Sequence, residues 1–155
     1  DALERASLVC PAEPSLWPRL RALYEQTGTW TRFVDTSVRL AGFTKSTRDE
    51  RDLLFEAGRA SLLHLNDDER AFDILHRVFE LEANHPPLIL LLGEYHLACG
   101  EPDDAEGFFK RLVANAGLGT PDEQATAWRR LGERQRGQSS KILHGDFLLG
   151  YSTVR

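Results

Sequence analysis

The sequence predicts an all-α fold, an α-solenoid of stacked helix hairpins. Three observations carry this expectation: helix start and stop signals punctuate the whole chain, strand signals are scarce, and matching residues recur 34 positions apart. The 155 residues suffice for a sizeable core without metal or disulfides. With 41% apolar and 28% charged residues and a net charge of −5, the composition is that of a folding globular chain.

Helices are expected over 1–9, 15–27, 29–42, 47–65, 67–83, 86–99, 102–116, 121–136 and 139–149. Gly28 closes the segment from 15, as a residue able to adopt a left-handed conformation does. Ser46 and Thr47 each precede an acid three residues on, Asp49 and Glu50, which makes two overlapping capping boxes ahead of an apolar run. Asn66 and Gly100 end two further segments. The apolar run Leu88 to Leu92 is leucine-rich and continues to Ala98, so it reads as a buried helix rather than a strand. Pro102 with Asp103 and Asp104 marks a first turn, with acids suited to the helix dipole. Thr120, Pro121 and Glu123 form the best start signal: cap, first-turn proline and box glutamate. Connections of mostly two to five residues make neighbouring helices antiparallel hairpins.

The pairs Asn66 and Gly100, Ala71 and Ala105, Leu75 and Phe109, and Phe55 and Ile89 all lie 34 residues apart. A lone hairpin cannot bury both apolar faces. Stacked copies can, and each interface then demands the same residue sizes. From Ile89 to Leu112 the chain resembles a tetratricopeptide repeat, through Ile89, Leu92-Gly93, His96, Gly100, Ala105 and Phe109. His96 replaces the usual aromatic, and Gly117 stands where the closing proline is common. Upstream the same pattern meets Phe55, Leu62, Asn66, Ala71, Leu75 and Val78, with Gly58 one residue early and Arg59 where a small residue belongs. Further upstream it meets Trp17, Leu20, Tyr24, Gly28 and Phe33, where Phe33 replaces the small alanine and implies wider packing. Downstream it meets Trp128, Leu131 and Gly132, with Ser139 at the turn. Leu3, Ala6 and Pro11 fit the end of a preceding repeat.

The resemblance implies a right-handed superhelix over 1–137. Its units run roughly 1–14 (partial), 15–46, 47–85, 86–120 and 121–137 onward, with 138–155 a C-terminal helix or tail packing on the last repeat. The segment Leu-Tyr-x3-Gly-x-Trp at 23–30 is similar to degenerate repeats of large bacterial proteins. An orphan second helix at Asp1 and the absence of methionine lead us to expect a stretch of a longer chain.

The chemistry-bearing residues point away from catalysis. The histidines His64, His76, His85, His96 and His144 lack zinc spacing with a third ligand close by, and His76 with Glu80 reads as a surface ion pair. Gly117-Leu118-Gly119 lacks the third glycine and preceding strand of a phosphate loop. His144-Gly145-Asp146 is similar to the catalytic loop of aminoglycoside-phosphotransferase-like kinases, but Tyr151 stands where that family has its asparagine metal ligand. Cys10 and Cys99 sit among apolar neighbours and are expected as buried thiols. No catalytic residue, metal or other cofactor is expected.

Residues 47–126 hold seven basic and seventeen acidic groups, a net −10, whereas 127–155 hold six basic and two acidic groups, a net +4. This acidic balance disfavours nucleic acid. No apolar run is long enough to span a membrane, and no signal segment is present, so a cytoplasmic setting is expected. The resemblance implies a concave groove lined by Glu56, Leu63 and His64, by Leu90, Glu94 and Leu97, and by Arg129, Glu133 and Arg136. The Lys, Asn and Arg clamp of family members that bind chaperone C-termini is replaced here by Leu, Ala and Glu. The expected function is therefore a scaffold or adaptor module whose groove takes a peptide or helix of another protein. The alternatives are self-association as a structural solenoid segment, or a non-catalytic regulatory domain of an enzyme.

Overall fold

The computed structural model describes residues 15–136, and among these every regular element is helical. We number them α1 (Leu16–Thr27), α2 (Trp30–Phe43), α3 (Thr47–Ala60, continued by a π-helical turn Ser61–Leu65), α4 (Asp68–Leu81), α5 (Pro86–Ala98), α6 (Pro102–Val113) and α7 (Pro121–Gln135). The expected helices 1–9 and 139–149, Cys10 and the His144-Gly145-Asp146 segment lie outside the described residues. No described helix is long and apolar enough to cross a membrane.

The terminal signals act as local chemistry requires. Ser46 caps α3 by accepting from the Asp49 N–H at 3.2 Å. Asp67 does the same for α4 from Arg70. Thr120 and Glu123 close a reciprocal capping box on α7: the Glu123 N–H donates to Thr120 Oγ1 at 3.3 Å, and the Thr120 N–H donates to Glu123 Oε2 at 2.7 Å. Thr120→Ala is expected to lower stability by about 1 kcal/mol, measured by urea unfolding. Gly28, Asn66 and Gly100 all take positive φ, at 67°, 50° and 79°.

The chain divides into two compact units between Ala83 and Asn84. In the first, α1 packs on α2, α2 on α3, and α3 on α4. Ion pairs add to this packing: Arg21 with Glu56, Arg70 with Asp35, and Arg51 with Glu82. In the second unit α6 packs on α5 and α7, around a core of Ile89, Leu90, Ala105, Phe109, Leu112 and Ala127.

One packing register recurs inside the hairpins. A Cβ placed on Gly93 of α5 would stand 2.6 Å from Phe109 of α6, so only glycine admits that ring. A Cβ on Gly58 of α3 would likewise stand 2.6 Å from Leu75 of α4. Ala105 and Ala71, four residues before those large side chains, are fully buried. The α1–α2 hairpin exchanges the sizes. Arg21 holds the glycine position and donates from Nε to Ser37 Oγ at 2.9 Å, and its guanidinium lies 4.7 Å from the Phe33 ring centre.

The π-helical turn explains the residue that looked out of step. Gly58 to Asn66 is one residue longer than Gly93 to Gly100. The turn at 61–65 absorbs the extra residue, with the Asn66 N–H donating to Ser61 O and Ser61 Oγ to Ala57 O. Gly58, not position 59, therefore meets α4. The counterpart of buried Ile89 is Leu54, which is fully buried, and not half-buried Phe55.

Cys99 also departs from expectation. It lies just past the end of α5 beside the left-handed Gly100 and is exposed rather than buried.

Candidate interaction surface

The expected groove residues separate by environment. In the first unit, His64 of the π-helical turn is exposed and Leu63 is half-buried. Glu56 is half-buried and ion-paired with Arg21. His64 stacks face to face on Trp30 of α2, with ring centres 3.7 Å apart and planes 4° from parallel. Trp30 in turn meets Phe33 edge-on at 5.7 Å. Partial desolvation, and then the charge of Arg59, lower the His64 pKa from the ordinary histidine value. His64 and Trp30 thus form a stacked aromatic pair within reach of the Arg59 charge, with half-buried Leu63 next to His64 in the chain. Trp30 enters the sequence reading only as the end of the 23–30 segment and not as a groove residue, because its ring partner is 34 positions away.

In the second unit, Leu90 and Glu94 are interior rather than groove-lining. Leu90 belongs to the core cluster, and Leu97 packs against that cluster while half-buried. Glu94 is 2% exposed and accepts from Arg130 Nε at 2.7 Å. Glu133 accepts from Arg130 Nη1 at 3.1 Å, which completes a chain from α5 to α7. Burial raises the Glu94 pKa, and the hydrogen bond and charge of Arg130 counter that rise. Arg129 and Arg136 remain exposed.

Among the described residues, His96, Glu101 and Asp104 bring three potential ligand atoms within 4.8 Å of one another. The signal is the spacing His-x4-Glu-x2-Asp, which is not a zinc-finger pattern. Its structural account is sufficient. His96 Nδ1 lies 2.7 Å from Glu101 Oε2 and ties the end of α5 to the start of α6, while Asp104 sits in the first turn of α6, where an acid suits the helix dipole. The imidazole stacks on Phe108 at 5.4 Å. His76 Nδ1 lies 3.6 Å from Glu80, both exposed. No family model matches the chain, and neither a curated protein nor a solved structure matches it.

Proposed function

We propose that this chain is a non-catalytic protein-interaction module, a right-handed solenoid of tetratricopeptide-like hairpins that binds a peptide or helix of a partner protein. The observation that supports it most is the recurrent register: Arg21 with Ser37, Gly58 with Leu75, and Gly93 with Phe109 keep one interface while changing its residues. Conservation of the joint with freedom elsewhere is what a stackable unit requires. In the first unit the contact surface is Leu63, His64 and Trp30. A stacked aromatic pair with a half-buried leucine next to it in the chain suits an apolar or aromatic anchor residue of the partner. Leu90 and Glu94 serve the core in this reading and leave the contact set.

The test is affinity capture from a native lysate with the full chain, comparing wild type with His64→Asp. His64 is exposed, so this variant keeps the fold, which circular dichroism checks. A protein retained by wild type and reduced at least tenfold with His64→Asp supports the reading. Equal capture by both, or none by wild type, rejects it.

A further inference from the structure

The outer face of α7 has the form of a hairpin's first helix without, among the described residues, its second. Gly132 follows Trp128 by four residues, as Gly58 follows Leu54 and Gly93 follows Ile89. Leu54 and Ile89 are buried, whereas Trp128 is 60% exposed. Leu75 sits over Gly58 and Phe109 over Gly93. A Cβ on Gly132 would meet, among the described residues, only Arg136 Nη2 at 3.8 Å. Ala125, Trp128, Gly132 and Arg136 share one helix face, at i, i+3, i+7 and i+11. Beside it, Trp128 and Leu131 form an open groove of about 370 Å³ with Val113 of α6, edged by Glu106, Lys110 and Arg134. Charge gives the face a direction. In both glycine-bearing hairpins the first helix carries a basic group near its end, Arg59 in α3 and His96 in α5. The second helix starts with acids, Asp68 and Glu69 in α4, Asp103 and Asp104 in α6. Near the end of α7, Arg134 is already paired with Asp103 and Glu106, while Arg136, and Arg129 two turns earlier, are exposed.

We propose that this face takes a helix of another protein, one that begins with acidic residues and sets a large apolar side chain over Gly132. The occupant repeats the joint that α4 makes on α3 and α6 on α5, running antiparallel to α7. Gly132 admits the large side chain, and exposed Trp128 supplies the apolar area beside it. Acids in the first turn of the incoming helix suit its own dipole and face Arg136 at the end of α7, with Arg129 further along for a later acid. Charge selects an occupant from another molecule, because the sequence beyond Arg136 holds one acid, Asp146, against Lys141 and Arg155. The α7 face stands whether or not His64 is a contact, and its test leaves His64 unaltered.

The probe is a fluorescein-labelled peptide with the sequence of residues 101–114, which has the acidic start and the Ala105 and Phe109 pair that the joint requires. Fluorescence anisotropy follows its binding to the full chain. Wild type is expected to bind it, more weakly as salt rises. Gly132→Leu fills the joint and should reduce the affinity by about tenfold or more. Gly107→Leu, on the exposed side of α6, should bind as wild type does. Trp128→Ala replaces Gly132→Leu if the latter does not fold. No binding by wild type, or equal binding by wild type and Gly132→Leu, overturns the proposal. Equal acrylamide quenching of wild type and Trp128→Phe also overturns it, since the chain then covers this face itself. A wild-type dimer in sedimentation that Gly132→Leu abolishes overturns it too, since the occupant is then a second copy.

Discussion

Gly93→Leu is expected to destabilise the chain by about 2–3 kcal/mol in urea unfolding, even though leucine is the better helix former by roughly 0.8 kcal/mol. The penalty has a definite origin. The first atom of the new side chain would lie 2.6 Å from Phe109 Cε1 and 2.9 Å from Cζ, and Phe109 is itself buried among Ile89, Leu112 and Ala127. Neither the ring nor α6 can yield without opening the core. Phe109→Ala alone should cost about 3–5 kcal/mol through the cavity it leaves. In the double variant the leucine enters that cavity, so the two losses should fall short of additive by about 1–3 kcal/mol. Gly107→Leu is the control. It lies on the exposed side of α6 with nothing within 4 Å of an added Cβ, so it should be neutral or slightly stabilising. Equal behaviour of Gly93→Leu and Gly107→Leu would falsify the close approach of α5 to α6.

Of that joint, the recurrence of Ala71 with Ala105 and of Leu75 with Phe109 was legible as a 34-residue spacing, but the contact of Phe109 with Gly93 was not; the caps were legible because they are local features. Ser46, Thr120, Gly28, Asn66 and Gly100 act within one helical turn of themselves, so their roles can be read directly from neighbouring residues. The π-helical turn was not legible, because nothing in Ser-Leu-Leu-His-Leu distinguishes a turn closed at i+5 from one closed at i+4. Its trace in the sequence was the single residue by which Gly58 runs early, and only the structure shows that the helix, rather than the loop, absorbs it. The candidate surface was least legible, for a related reason. Glu94 on a helix reads as a surface acid unless its partner is known, and Arg130 lies 36 residues away on α7. Leu90 was assigned to a groove by its position in the repeat, but α6 and α7 enclose it. His64 gains its significance from Trp30, which belongs to another helix.

Arg130→Met is expected to cost about 3–5 kcal/mol, because it strands the Glu94 carboxylate in the interior, whereas an exposed pair such as His76 with Glu80 should contribute at most about 1 kcal/mol. Glu133 adds to the loss, since it raises the Glu94 pKa and would face it without the intervening guanidinium. Glu94→Leu combined with Arg130→Met should recover most of the loss, as replacing both members of a buried pair by apolar groups commonly does. The pH dependence follows from the same burial. The raised pKa means that the folded chain holds the Glu94 proton more tightly than the unfolded chain. The contribution of Glu94 to stability therefore falls as pH climbs from the ordinary glutamate value through the raised folded one, and stays at its lower level above that window. Arg130→Met should steepen this fall and Glu94→Gln should abolish it, which urea midpoints measured across the window would show. A pair whose burial works against its own charge adds little net stability, so its value lies in orientation. It admits one approach of α7 to α5, the approach that brings Ala127 into the core beside Leu90 and Leu112.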